Sequence, residues 1–401
     1  MFHPEYIDSK KLITNDDILQ LFKIIERHGG VLRFVGGAVR DAIAGIPRSD
    51  IDLVTDLSPS EFSDICDDEG IRCVPIGIQF FTLGVIIRNS FFKITCLSTE
   101  DDNSQEEWKK DAARRDLTIN AVYADDKGNV FDYYNGIKDL EDGVIKFIGK
   151  PVKTIENDYI RIMRFFRFCA MFGKKIDRKS LKCCIDNKHL LHNVSQEKIK
   201  EELFKIMMAP YAVRALELIF KYGVLDFLIA PPKSLQKLEK LDNIVTALNL
   251  QKSIIRRIFV LFEPTLNRAE RLAHIFRLNK EQKDYLLSLC RAKFTVKNFK
   301  DTVSINKSIY KYGKEICIDM FLFLNLDNQN LDELKSVLHI LDSAPKLEFP
   351  LKGKDLINIG ANKKYLSLYM DILKKEWYEN GCLYSKEDLL EQFKIIFKYG
   401  V

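Results

Sequence analysis

Residues 36–55 read GGAVRDAIAGIPRSDIDLVT. The apolar run VLRFV at 31–35 reads as a short buried strand, and Gly36-Gly37 as a turn. AVRDAIA predicts a helix with apolar Val39, Ile43 and Ile46; Gly45 suits its stop and Pro47 bars continuation. DIDLVT predicts a second strand. Side chains two apart on a strand share a face, so Asp50 and Asp52 point together. Adjacent carboxylates repel unless a cation sits between them, and hard oxygen ligands suit Mg²⁺. Such pairs hold the metals that clamp an in-line phosphoryl displacement. The Gly-Gly turn opening a helix offers bare N–H groups and a positive dipole end to a phosphate, and Arg40 adds a bidentate contact. Alone, an Asp-x-Asp is usually a turn and a Gly-Gly usually a loop. In the order strand, Gly-Gly, helix, strand, acid pair, they ask for a nucleoside triphosphate and a metal.

The rest of the chain gives that site a setting. Its 401 residues suggest two or three domains, and 46% hydrophobic with 30% charged residues is an ordinary globular composition. No apolar run is long enough to span a bilayer, and MFHPEYIDSKKLITNDD lacks a signal peptide's basic start and apolar stretch. Nine scattered cysteines without a C-x-x-C pair indicate neither a disulfide framework nor a zinc site, and are expected as reduced cytoplasmic thiols. The net charge of +5 hides an asymmetry: residues 1–150 carry 18 Lys/Arg against 27 Asp/Glu, while the remainder is strongly basic. A basic portion beside an acidic one suggests a polyanion held by one part and worked on by another; the plainer account is lysines on solvated helix faces.

Strand and helix signals alternate up to about residue 150. SPSEFSDICDDEG reads as a helix, GVIIRNS and FFKITCL as strands, and INAVYADDKGNVFDYY (119–134) as two strands around a turn. From Thr154 onward helical spacing dominates, in DYIRIMRFFRFCAMF, SQEKIKEELFKIMM, AVRALELIFKYGVLDFL, RRIFVLF and LDELKSVLHILDS. Pro231-Pro232 marks a break. The expectation is an α/β head with a mixed sheet over 1–150, a helical neck over 151–230 and an all-α body and tail over 231–401.

With these motifs in place, V-G-G-A-V-R-D followed by D-I-D-L-V-T resembles the signature of class II tRNA nucleotidyltransferases, whose catalytic head is shared with bacterial poly(A) polymerases. ARRDLTINA (113–121) is similar to that family's second motif. Asp132, Gly136, Asp139 and Leu140 match its hinge pattern D-x-x-x-G-x-x-D-L. NDYIRIMRFFRF (157–168) resembles its nucleotide-reading motif, and SQEKIKEEL (195–203) the helix supporting it. The match runs in order over about residues 31–205. It implies a nucleotidyltransferase head followed by all-α neck, body and tail. It implies addition of CMP, and AMP, to the tRNA 3′ end from CTP and ATP with loss of pyrophosphate. Asp50 and Asp52 are then the catalytic Mg²⁺ ligands, and Gly36, Gly37, Arg40 and Arg115 cradle phosphates. Asp116 reads a ribose hydroxyl, and Arg115 and Asn120 order the nucleotide. The acceptor arm would lie on the basic helical portion, held largely by shape and phosphate contacts.

The residues of the reading motif carry their own chemistry. On a helix, Asp158 and Arg161 stand three apart on one face. A carboxylate accepts from an exocyclic amine and a guanidinium donates to ring acceptors, which fits cytosine and adenine and rejects uracil and guanine. Arg164 and Arg167 continue the series toward the triphosphate. The plainer account of this helix is a core segment (Ile160, Met163, Phe166) with a solvated arginine face.

Four positions depart from the family. Asn157 replaces a usual Glu, Phe80-Phe81 stand where a His-Gly is frequent, and Lys93 stands where a Glu, a third carboxylate, is common. The segment STEDDNSQEE (98–107) is short and acidic where relatives carry a longer loop associated with the switch from C to A addition. A CC-adding enzyme that leaves the A to a partner is therefore one alternative. A poly(A) polymerase is another, and a non-catalytic RNA-binding protein on the same fold is a third.

Overall fold

The computed structural model describes residues 6–13, 15–47, 51–77, 81–97, 104–232, 234–296, 299 and 301–398. Helix α1 (Asp16–Arg27) is started by the Asn15 side chain, which accepts from the Ile18 N–H, and buries Ile18, Leu21, Phe22 and Ile25. Strand β1 (Leu32–Val35) follows. At Gly36 the backbone takes φ 67° and ψ −120°, a region open to glycine. That turn launches α2 (Gly37–Ala44), which ends on left-handed Gly45. Ile46 therefore lies beyond the helix and is 37% exposed, contrary to its expected place on the helix's apolar face. Strand β2 (Asp52–Thr55) begins at the second acid of the pair. A Ser58–Glu61 capping box with Pro59 at the first position sets α3 (Pro59–Asp68).

Three strands follow: β3 (Arg72–Gly77), β4 (Thr82–Ile87) and β5 (Ser90–Cys96). The sequence reading missed β3, which carries Pro75. Proline lacks a ladder N–H and weakens a strand signal, and β3 accommodates it at the sheet edge. After α4 (Ser104–Arg114) come β6 (Val122–Ala124) and β7 (Val130–Asp132). The seven strands lie in the order β3-β4-β5-β2-β1-β6-β7. β2 and β5 pair in parallel, while every other neighbouring pair is antiparallel. One face packs Phe34, Leu53, Phe92 and Ile94 against α1, α2 and α3. On the other, Trp108 and Ala112 of α4 cover Val35, Val54 and Tyr123.

The hinge pattern has a physical explanation. Asp132 accepts from the N–H groups of Tyr134, Gly136 and Ile137 at 3.2, 2.9 and 2.9 Å, which organises the entry to α5 (Gly136–Asp142). A Cβ on Gly136 would stand 2.1 Å from the Thr118 carbonyl oxygen, so only glycine lets α5 approach. Asp139 accepts from Thr118 Oγ1 at 2.7 Å and lies 2.9 Å from Lys146 Nζ. Within ARRDLTINA, α4 runs to Arg114, a 3₁₀ turn covers Thr118–Asn120, and the strand expected from residue 119 starts at Val122.

Strand β8 (Val144–Ile145), α6 (Pro151–Asn157), α7 (Arg161–Phe172), β9 (Lys175–Ile176), α8 (Arg178–Asp186), α9 (Gln196–Met208) and α10 (Ala212–Lys221) complete a first compact unit that ends at Phe227. The β8–β9 pair is a small parallel sheet within the otherwise helical segment. α7 buries Ile162, Met163, Phe165, Phe166 and Phe168 against β8, α9 and α10. The second unit, from Leu228, is all helix among the described residues, from Gln236–Ala247 to Lys386–Lys398. Within it Trp377, Leu373 and Leu389 centre one core, and buried Asp319 is held by Arg256 at 2.6 Å and Tyr285 at 3.0 Å.

Gly136→Ala is expected to lower unfolding free energy by about 2–3 kcal/mol, because a methyl group must displace backbone rather than a flexible side chain. Denaturant unfolding of the two proteins checks this; equal midpoints and slopes would refute it.

Candidate active site

A cavity of about 1290 Å³ lies within the first unit. That exceeds the roughly 300–1,000 Å³ of a site for a drug-sized ligand, leaving room for a nucleotide and a further group. Gly36, Gly37 and Arg40 of the β1–α2 turn line it, as do Asp52 of β2, Arg115, Asp116 and Asn120 after α4, Asp158 before α7, and Arg161, Arg164 and Arg167 along α7. Asp50 lies outside the described residues; every other site residue expected from the sequence meets here. Segments 98–103 and 78–80, with Phe80 and the expectations placed there, also lie outside the described residues, while Ser104–Glu107 open α4.

Asp116 is the centre of the arrangement. It is 4% exposed and accepts from the Leu117 N–H at 2.8 Å, Asn120 Nδ2 at 2.9 Å and Arg164 Nε at 2.6 Å. Burial disfavours its charge, yet Arg164 and the Asn120 amide hold the carboxyl down at about 2. Asn120 passes the connection on, since its Oδ1 accepts from Arg40 Nη1 at 2.6 Å. Arg40 in turn lies 2.6 Å from Asp41 Oδ1, with Phe168 and Phe172 rings 4.8 and 5.3 Å from its guanidinium carbon. An unbroken polar chain thus runs from α2 to α7. Arg40 is buried and already engaged, so any contact it makes to phosphate adds to this pairing.

Two further arginines are fixed by acids that the sequence reading did not single out. Asp111, four residues before Arg115 on the same helix face, lies 2.9 Å from Arg115 Nη2 and 2.5 Å from Arg114 Nη2, and accepts from Tyr123 Oη at 2.5 Å. Burial opposes the Asp111 charge, but these arginines keep its carboxyl below its ordinary range. On α7, Arg167 Nε lies 3.1 Å from Glu202 Oε2 of α9. The i, i+4 spacing of Asp111 and Arg115 was a readable signal. Glu202 gave none beyond its place on the supporting helix.

Asp158 is not on the helix with Arg161. Its backbone is extended (φ −162°, ψ 111°) where it ends α6, and α7 starts at Arg161. Asn-Asp pairs favour such junctions because their side chains satisfy local backbone donors, and Asp158 Oδ1 accepts from the Ile160 N–H at 3.3 Å. Both residues still line the cavity. Arg161 donates to the carbonyl oxygens of Arg114 at 3.0 Å and Thr154 at 3.3 Å, which holds its guanidinium between the end of α4 and α6. Burial lowers the pKa of Arg40, Arg161 and Arg167, a sign of cations crowded away from water.

Asp52 is exposed at the first position of β2 and lines the cavity beside Thr95. Its register partner across the parallel pair is Lys93. The position where a third carboxylate was considered therefore carries a cation one strand away. Among the described residues no three His, Cys, Asp or Glu side chains are grouped to hold a metal. Asp52, a hard oxygen donor on the cavity wall, suits a divalent cation, and Lys93 beside it does not supply a third carboxylate.

This geometry, with a Gly-Gly turn under a helix N-terminus and an acid on the adjacent strand, is that of a nucleotidyltransferase head, and residues 32–146 match the family model described as "Poly A polymerase head domain". Residues 173–235 match the model "Probable RNA and SrmB- binding site of polymerase A". Over these two segments the chain is similar to poly(A) polymerases. Relatives include human "CCA tRNA nucleotidyltransferase 1, mitochondrial", 27% identical with 95% of this chain and 91% of that protein covered. The "CCA-adding enzyme" of Ligilactobacillus salivarius is 25% identical, covering 96% and 97%. In fold the chain resembles the Bacillus stearothermophilus CCA-adding enzyme crystallised with CTP: TM-score 0.71, 21% identity, 96% of this chain and 98% of that one.

Asp116→Asn is expected to cost about 2 kcal/mol at neutral pH. Since the folded-state carboxyl titrates below its ordinary 3.8, its contribution is present above that value and lost as pH falls through about 2. Unfolding free energies of wild type and variant should therefore converge from pH 4 downward; a gap that stays constant with pH contradicts the ion-pair account.

Proposed function

We propose that this protein is a template-independent nucleotidyltransferase that adds CMP and AMP to the 3′ end of tRNA, releasing pyrophosphate. The observation that carries the reading is the single cavity uniting the Gly36-Gly37 turn, Asp52, and the Asp158–Arg161 pair. The names of its relatives and the nucleotide bound to its structural neighbour support the same reading.

Within it, the terminal hydroxyl of the acceptor attacks the α-phosphate of the nucleotide, and pyrophosphate leaves. Gly36 and Gly37 present the start of α2 to the triphosphate. Arg115 and Arg164 stand ready with their geometry fixed by Asp111 and Asp116, so little reorganisation accompanies charge build-up. Asp52, with Asp50, would hold Mg²⁺, which supplies Lewis-acid activation of the hydroxyl and neutralises the departing phosphates. Asp158 and Arg161 select the base: the carboxylate accepts from the amine of cytosine or adenine, and the guanidinium donates to ring acceptors. Because backbone carbonyls lock Arg161, a base with the opposite pattern leaves polar groups unpaired. Asp116, Asn120 and Arg167 order the ribose and phosphates.

The test is incubation with tRNA ending at its discriminator base, Mg²⁺, CTP and ATP, followed by sequencing of the product ends. CCA is expected; CC alone, or a long A tail, would replace the reading with one of its relatives. Asp52→Ala should lower incorporation by about 10³-fold or more, a few kcal/mol of lost transition-state stabilisation. Asp158→Ala should lower the preference of CTP over UTP by roughly 10²-fold, while a variant that kept it would remove Asp158 from base choice.

A further inference from the structure

Strand register carries the face on which Asp52 stands well beyond the cavity. Val74, Gly84, Lys93 and Asp52 are successive partners across β3, β4, β5 and β2. Beside this row lies another, Arg72, Ile86 and Phe91. The alternate residues Val85, Ile87, Phe92 and Ile94 point the other way, into the core. Over β1, β2 and β6 the Asp52 face is covered by Trp108 of α4. Over β3–β5 the described residues leave it exposed: Phe91 is 53% and Ile76 47% exposed, and Lys93 and Arg72 are exposed beside them.

Gly84 gives this strip its form. A Cβ there would stand 2.6 Å from Ile76 Cδ1 and 2.9 Å from Phe91 Cε2, so the two side chains close over the bare backbone into one apolar surface. The outward positions of these rows carry two cations and no acid before Asp52. Lys93 is one strand, about 4.8 Å, from Asp52, and Phe91 about 6.6 Å further along β5. An aromatic surface flanked by cations and continuous with a catalytic carboxylate suits a single-stranded polyanion with π-faced bases.

We propose that this strip binds the single-stranded 3′-terminal nucleotides of the RNA acceptor. A base stacks on Phe91 and Ile76, and the backbone runs past Lys93 and Arg72 so that the terminal hydroxyl arrives at Asp52. This rests on the nucleotidyl-transfer reading, and it names residues outside the cavity that grip the second substrate.

Fluorescence anisotropy in EDTA, without nucleotide, tests the strip apart from catalysis. The probes are a labelled RNA hairpin with a short single-stranded 3′ overhang and the same hairpin with a blunt end. Wild type should bind the overhang form more tightly. Phe91→Ala should lose about 10-fold on the overhang form and nothing on the blunt one, while Phe91→Tyr keeps the wild-type value. Gly84→Leu, which parts Ile76 from Phe91, should match Phe91→Ala, and Lys93→Ala should lower the salt slope of log K by about 0.7. No overhang preference in wild type, equal loss on both RNAs, or no loss in Phe91→Ala would overturn the proposal. A wild type that binds the overhang through Phe91 yet incorporates no CMP would uphold the strip and overturn the transfer reading.

Discussion

The carboxylate of Asp116 is the constraint on which the site depends. A buried acid is tolerable only if it is paired and its lone pairs are satisfied. Here the partners come from three places: its own turn, the amide of Asn120 and the guanidinium of Arg164 on α7. Satisfying one charge therefore fixes the distance between the strand-turn-helix that presents phosphate-binding N–H groups and the helix that carries the arginine series. Arg40 and Asp41 extend the same tie to α2. The cavity is the space left between elements that this pairing holds at a set separation.

Much of that could be read from the chain. The glycine turn, the helix stop at Gly45, the strand carrying Asp52 and the amphipathic arginine helix rest on local rules of backbone freedom and periodicity, and they appear where those rules put them. What sequence could not deliver was set by non-local pairing or by local exceptions to periodicity. β3 was hidden by Pro75, permitted because of an edge position that topology alone reveals. Asp158 escaped helical arithmetic because an Asn-Asp junction breaks α6 from α7, though the two reading residues still meet. Glu202 reaches Arg167 across 35 residues, and nothing in the spacing points to it.

The crowding of arginines is affordable because each is matched. Arg40, Arg115, Arg164 and Arg167 have Asp41, Asp111, Asp116 and Glu202 respectively, so the cavity presents donors whose orientation is set while its net field stays moderate. Arg161 differs, being held by two backbone carbonyls rather than by an acid. Among the described residues no acid pairs with it directly, and Asp116 and Asp158 act on it only through space, in keeping with a role in recognition rather than scaffolding.

The Asp116–Arg164 pair also has a consequence in time. The two residues are 48 apart, so during synthesis the acid emerges well before its cation. Until α7 has followed it and packed, that carboxylate lacks its ion-pair partner and has only Arg40, the Asn120 amide and its own turn to offset its charge, and folding of domains as units proceeds from the N-terminus. The cavity lining is complete only once α7, which supplies Arg161, Arg164 and Arg167, has been made and packed.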